Sequence, residues 1–310
     1  MTAPLILVTC RQMQVELPRH RERIEKLGYE VVAPDLLGRQ QLTAAELLKY
    51  GDRLVGIIAG DDQLDRDFFE NAKKIKTVIR WGIGMDSVDL QAARDHGVTV
   101  RNTPGVFGHE VADAAFGYIL NLVRGHIAVD AAVRRGEWPK VEGVTLAGAQ
   151  LGIVGFGTIG REIANRAKGF AMDVVAYDPF ADGAQADVPI VGLDKLLETS
   201  RFIVLACPLT PQTFHLINAE RLARVRPDTY LVNVARGPVV MEQDLIDALK
   251  DGRLAGAALD VFEVEPLPLD SELRTLHNVV LGAHNGSNTR EGVVRASEAA
   301  VDFLIEELGR

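Results

Sequence analysis

Cysteine is almost absent from this chain, with two among 310 residues, Cys10 and Cys207. Two thiols cannot build a disulfide framework, and their scarcity suggests a reducing compartment. Basic blocks are absent too. Lys and Arg total 34 against 43 Asp and Glu, a formal net charge of −9. A nucleic-acid groove or an anionic membrane surface is therefore not the expected partner. No stretch reaches the ~18 uncharged apolar residues that a membrane span needs. The N-terminus has no cationic region before its first apolar run, Leu5-Ile6-Leu7-Val8, and Arg11 follows at once. That run reads as a strand rather than a signal peptide. No repeat and no low-complexity segment is visible, which excludes solenoids and propellers. The expectation is a soluble, cytoplasmic protein.

What remains is ordinary globular material, 47% apolar and 25% charged, with room for two domains at about 150 residues each. Short apolar runs alternate with stretches of helical periodicity, the pattern of βαβ units on a parallel sheet. Candidate strands lie at 5–8, 29–32, 55–58, 77–79 and 98–100, then at 150–154, 174–177, 202–205, 230–234, 257–259 and 279–280. One long helix is expected over residues 110–135, where Val111, Ala115, Tyr118, Leu122 and Val129 recur at helical spacing. A last helix is expected over 289–308. Two α/β domains of like type predict a small-molecule cleft between them.

The most specific local signal is Gly155-Phe156-Gly157-Thr158-Ile159-Gly160, between an apolar strand and a helical pattern, with a second strand ending at Asp178. The interval from Gly160 to Asp178 is near the ~20 residues expected before an acid that takes ribose hydroxyls. Gly155 permits the tight turn and Gly157 lets backbone approach a pyrophosphate. Gly160 lets helix and strand pack closely, and the amides of Thr158 and Ile159 face the anion. Asp178 repels a 2′-phosphate, which favours NAD over NADP. The dinucleotide domain is therefore the later one, and roughly the first hundred residues read as a small doubly wound unit.

Ligands of open α/β sheets bind beyond the carboxyl ends of the strands. Three apolar strands of the later domain run into polar groups: Asn233-Val234-Ala235-Arg236-Gly237, Asp260-Val261-Phe262-Glu263-Val264-Glu265-Pro266, and His284-Asn285-Gly286-Ser287. A guanidinium can grip a carboxylate and polarise the adjacent carbonyl. A histidine can exchange the proton that accompanies hydride transfer, and a glutamate beside it can hold its orientation. Singly, Arg236 also reads as a helix-start ion pair, Glu265 as a solvated turn residue and His284 as structural; their shared place beside the glycine turn favours chemistry. The other histidines form no H-x-x-x-H pair, His109-Glu110 lacks the second histidine of a zincin, and no G-x-S-x-G occurs. No metal is expected. Cys207 reads as a packing residue.

On these motifs, together with Cys207-Pro208-Leu209-Thr210-Pro211-Gln212-Thr213, the chain resembles the D-isomer-specific 2-hydroxyacid dehydrogenase family over almost its whole length. The resemblance implies that Arg236 binds substrate, His284 is the acid/base and Glu265 its partner. It implies that Asp178 takes the adenosine ribose and Asp260 the nicotinamide amide, with Pro208, Thr213, Ala235 and Gly286 also on the cofactor side. Arg80-Trp81-Gly82-Ile83-Gly84 resembles the family's glycine loop, so Arg80, Gly82, Ile83 and Gly84 are implied substrate contacts. The implied substrate domain is flavodoxin-like and comprises residues 1–102 with the returning last helix, 289–310, while the implied Rossmann-type cofactor domain, 103–288, forms a homodimer. Two departures, Ala283 where the family has Pro and Asp113 where it has Glu, touch no catalytic group.

The glycine loop and Asn102-Thr103-Pro104 look like phosphoglycerate dehydrogenase. Yet Ala59-Gly60-Asp61-Asp62 stands where that enzyme offers an arginine to a phosphate, and two carboxylates there repel a dianion. Because the sequence ends at Arg310, that subfamily's C-terminal regulatory domain is expected to be absent. The expectation is an NAD-dependent enzyme for glyoxylate- or hydroxypyruvate-type acids first and phosphohydroxypyruvate second. A non-catalytic NAD-sensing protein of the corepressor type is the alternative. Formate dehydrogenase is disfavoured because that group resembles the family but has Gln in place of Glu265.

Overall fold

The computed structural model describes residues 3–39, 41–181 and 187–309. The chain divides into two compact units, Met1–Phe107 with Asn288–Arg310, and Gly108–Ser287. Each holds one wholly parallel sheet.

In the first unit β1 (Leu5–Val8), β2 (Glu30–Val32), β3 (Leu54–Ala59), β4 (Thr77–Arg80) and β5 (Thr99–Asn102) pair in the order β2-β1-β3-β4-β5. This is the flavodoxin-like order, with its switch point between β1 and β3. β1, β3 and β4 are buried from end to end, which is why they read as continuous apolar runs rather than alternating ones. Leu7, Leu47, Ile57, Phe68 and Val78 are among the fully buried side chains of the core. The last helix, Arg290–Leu308, packs on β3, β4 and the helix Arg11–Glu25. Residues 103–107, expected in the later domain, belong to this unit. The Thr103 hydroxyl accepts from the Gly82 amide at 2.9 Å, and the Phe107 ring lies 5.2 Å from that of Trp81.

In the second unit β6 (Gln150–Val154), β7 (Asp173–Tyr177), β8 (Phe202–Leu205), β9 (Tyr230–Asn233), β10 (Gly256–Leu259) and β11 (Val279–Leu281) pair in the order β11-β10-β9-β8-β6-β7. A further strand is reduced to a single parallel bridge, Ile190 beside Ala176. With it the sheet has the dinucleotide-fold order, extended by one strand. The chain reverses direction across the sheet between β6 and β8, where the glycine turn lies.

The long helix expected over 110–135 is two helices, Gly108–Arg124 and His126–Arg134. Gly125 separates them at φ +60°. Helical periodicity continues across the break, but a left-handed residue turns the axis, and glycine adopts that conformation without steric cost. Among the described residues no helix is long and apolar enough to cross a membrane.

Candidate active site

The glycine turn is built by contacts that only hydrogen side chains allow. Gly155 adopts φ +96°, and a Cβ there would lie 2.6 Å from the Cys207 amide nitrogen. A Cβ on Gly160 would lie 2.2 Å from the Gly155 carbonyl oxygen, so the helix Thr158–Gly169 presses directly on the turn. Gly157 differs: nothing lies within 4 Å of where its Cβ would be, and as N-cap it offers the helix no side-chain cap. The first-turn amides, including those of Thr158 and Ile159, thus lack a side-chain acceptor, and the approach over Gly157 is open. An anion suits such a helix start. Asp178, just beyond β7, closes the arrangement. Its Oδ2 accepts from the Phe156 amide at 2.8 Å and its Oδ1 from the Phe180 amide at 2.9 Å. A carboxylate oxygen can accept more than one hydrogen bond, so these leave acceptor capacity for a ribose. These residues fit a dinucleotide.

The chemistry-bearing groups leave three adjacent strands. At the end of β9, Asn233 is buried, and its side chain brackets the next turn, accepting from the Ala235 amide at 3.0 Å and donating to the Arg236 carbonyl at 3.0 Å. Arg236 Nη1 donates to the Ala235 carbonyl at 2.9 Å. Gly237 then lies backbone on backbone against the loop after β10, where a Cβ would stand 1.9 Å from the Phe262 carbonyl carbon. In that loop Glu265 Oε1 accepts from the Phe262 amide at 3.0 Å, which aims Oε2 at His284 Nδ1, 2.8 Å away. Both side chains are about a quarter exposed (26% for His284, 29% for Glu265). The structure therefore brings Glu265 and His284 together and ties the Arg236 loop to theirs.

Asp260, 3% exposed, organises this end of the sheet. Its Oδ1 accepts from the Tyr118 hydroxyl at 2.6 Å and the Asn285 amide at 3.0 Å, and its Oδ2 from the Gly286 amide at 2.8 Å. Burial, then the adjacent Asp260 carboxylate, hold the Tyr118 phenol well above its usual range. Gly282 makes room, since a Cβ there would lie 2.1 Å from that hydroxyl. Sequence reasoning missed Tyr118, Asn233 and Gly282 as site residues. Asn233 carried a usable signal, an Asn at a strand end before a turn; a tyrosine inside an amphipathic helix carries none.

The remaining expected residues sit as follows. Thr213 donates to the Pro208 carbonyl at 2.6 Å and accepts from the Thr210 amide at 2.8 Å, so its hydroxyl closes its own loop. In the first unit Gly82 takes φ +135° and its amide is held by Thr103. Ile83 is 37% exposed, and its carbonyl accepts from Asn102 at 2.7 Å; Gly84 is partly exposed beside it. Arg80 is buried and paired with Asp61. One expectation needs correction: of the two carboxylates expected to repel a dianion, only Asp61 is partly exposed, because Asp62 is fully buried. Cys10 and Cys207 are buried, which pushes their thiols up to about 12 and about 11, as packing residues rather than nucleophiles. No group of three metal-capable side chains occurs among the described residues.

Residues 116–286 match the model of the D-isomer specific 2-hydroxyacid dehydrogenase, NAD binding domain. The chain is 41% identical over 273 residues to a glyoxylate reductase of Thermococcus litoralis, covering 84% of this chain and 81% of that one. It belongs to the D-isomer-specific 2-hydroxyacid dehydrogenase family. A hydroxypyruvate reductase of Thermotoga maritima is 37% identical over 276 residues, covering 87% of this chain and 90% of the relative. Among solved structures, the TT0316 protein of Thermus thermophilus matches with a TM-score of 0.88 at 36% identity, covering 98% of this chain and 97% of that one. The second unit of this family member is thus an NAD-binding domain, and the chain is an NAD-dependent oxidoreductase.

Proposed function

We propose that the chain interconverts small 2-oxo acids and D-2-hydroxy acids, with glyoxylate and hydroxypyruvate as the preferred class and phosphohydroxypyruvate second. The observation that carries this is the 2.8 Å contact between Glu265 Oε2 and His284 Nδ1, beyond adjacent strands of a dinucleotide-fold sheet. Bound NAD supplies or accepts the hydride. Gly155, Gly157 and Gly160 with the amides of Thr158 and Ile159 hold its pyrophosphate, and Asp178 its adenosine ribose. Pro208, Thr213, Ala235, Asp260 and Gly286 complete the cofactor contacts.

The protein's own groups do the rest. Arg236 grips the substrate carboxylate and polarises the neighbouring carbonyl, whose oxygen gains negative charge during reduction. His284 delivers a proton to that oxygen from Nε2, while Glu265 accepts from the Nδ1 proton and so fixes ring orientation and tautomer. In the first unit Arg80, Gly82, Ile83 and Gly84 form the substrate-recognition loop. The glyoxylate and hydroxypyruvate reductases among the relatives support the substrate class.

The second unit carries the exposed apolar side chains Ile127, Val133, Trp138 and Val141 along residues 127–141, which supports a homodimer formed through that unit. Two buried cysteines suit the reducing cytoplasm. Steady-state rates with NADH across a panel of 2-oxo acids test the function, and light scattering tests the dimer. Turnover of glyoxylate or hydroxypyruvate is expected. No turnover of any 2-oxo acid, together with NAD-dependent capture of another protein, would move the reading to a non-catalytic NAD sensor.

A further inference from the structure

Arg80 ends β4 with its side chain almost wholly buried, 6% exposed. Its terminal nitrogens are committed, Nη1 to the Trp81 carbonyl and Nη2 to Asp61 Oδ1. Its Nε is buried with no partner among the described residues. Asp61 lies in the loop leaving β3, the strand that pairs with β4 and flanks the switch point of the first sheet. Its side chain is 40% exposed. The next carboxylate turns the opposite way. Asp62 is fully buried and accepts from the Thr9 hydroxyl, from the Leu42 amide at 2.7 Å and from the Gly60 amide at 2.9 Å. The two neighbouring acids therefore do different things: Asp62 pins the loop after β3 to the end of β1, and Asp61 holds the guanidinium of Arg80.

We infer that Asp61 determines the charge class of the substrate. An arginine at the carboxyl edge of a doubly wound sheet, heading a glycine loop, is suited to grip an anionic substituent. Asp61 cancels that charge and leaves its own carboxylate exposed at the same strand ends. A phosphate or second carboxylate on the substrate tail must approach a like charge. To use Arg80 it must also displace Asp61 and draw a buried guanidinium off the Trp81 carbonyl. A hydrogen or hydroxymethyl tail meets neither obstacle. The chain thereby selects 2-oxo acids whose sole charge is the reacting carboxylate, an inference that rests on the dehydrogenase function proposed above.

Asp61→Asn removes the charge at constant size. Its kcat/KM values with NADH for glyoxylate and hydroxypyruvate, and for phosphohydroxypyruvate and oxaloacetate, are compared with those of the wild type. The ratio of the doubly charged to the singly charged acids is expected to rise about 10- to 100-fold. That gain should shrink as salt is raised to about 0.5 M, and adding Arg80→Gln should abolish it. Asp61→Ala supplies the same readout should Asp61→Asn fail to fold, as monitored by circular dichroism. An unchanged ratio in a folded variant overturns the inference. A wild type that already prefers the phosphorylated acid also overturns it, while leaving the dehydrogenase function standing. A wild type that reduces no 2-oxo acid sinks both.

Discussion

The amide of His284 donates to the carbonyl of Asp260 across 2.6 Å and thereby holds a histidine at φ +50°. A left-handed residue other than glycine costs about 1–2 kcal/mol, and the surrounding bonds offset it. The next two amides, Asn285 and Gly286, donate to the Asp260 carboxylate. Three consecutive N–H groups thus converge on one residue, and that convergence sets where the imidazole points. Sequence position alone puts His284 beyond β11; the Asp260 hub turns its ring to Glu265.

Asp260→Asn tests the hub. An amide group in that pocket sets N–H against N–H on at least one side, leaving a buried donor unsatisfied at about 1–3 kcal/mol. We expect urea unfolding to report a loss of that size and turnover to fall at least about tenfold as the His284 loop relaxes. Tyr118→Phe removes one of the three donors without adding a repulsive one, so it should cost about 1 kcal/mol. Equal effects from the two variants would show that the carboxylate does not organise the loop.

On the proposed role of His284 as the proton carrier, removing its imidazole separates chemistry from binding. His284→Ala should leave NADH binding, followed by fluorescence, nearly intact while lowering turnover by about two to four orders of magnitude. Glu265→Gln should cost about 10- to 100-fold, since it disturbs the orientation of the proposed proton carrier rather than removing it. Near-normal turnover in His284→Ala would take the acid/base role away from that residue.

Much of this arrangement is legible in the sequence because a parallel strand buried on both faces reads as an unbroken apolar run. The first polar residue after it marks the carboxyl edge of the sheet. Asp178, Asp260 and His284 are placed in this way, whereas after the apolar run of β9 the first polar residue is Asn233, three positions before Arg236. Long-range pairings are not legible. Tyr118 and Asp260 are 142 positions apart, and nothing local to either points to the other. Nor can the sequence distinguish Asp61 from Asp62. Which carboxylate turns inward is decided by the Thr9 hydroxyl and the Leu42 amide, groups supplied by β1's exit and a distant loop. The helix break at Gly125 was obscured because the apolar periodicity runs through it.

Gly237 bears no functional group, yet the arrangement requires it. A methyl there would overlap the Phe262–Glu263 backbone, and no side chain can rotate away to relieve the clash. Gly237→Ala should therefore push the Arg236 and Glu265 loops apart. We expect a loss of about 1–3 kcal/mol in unfolding free energy and a fall in kcat/KM despite an intact set of polar groups. Unaltered kinetics would mean that the two loops need not touch.

His20 gives the first unit a pH-dependent stability. It lies on the helix Arg11–Glu25, 6% exposed, and neither ring nitrogen has a hydrogen-bond partner among the described residues. Burial, then the Arg23 and Arg19 charges, lower its pKa below 6.5, while Glu298 and Glu16 oppose them. The unfolded chain therefore binds the proton more readily than the folded one. The folded state keeps its full stability above about pH 6.5 and loses it as the pH falls from there toward the depressed folded pKa. His20→Met removes both orphaned nitrogens and keeps an apolar side chain suited to a helix interior. We expect the variant to be more stable by about 1 kcal/mol at pH 8. Its advantage should widen between pH 6.5 and pH 5, measured by urea unfolding at several pH values. An advantage that stays constant across that range would mean that His20 protonates equally in both states, and the burial argument for this residue would fail.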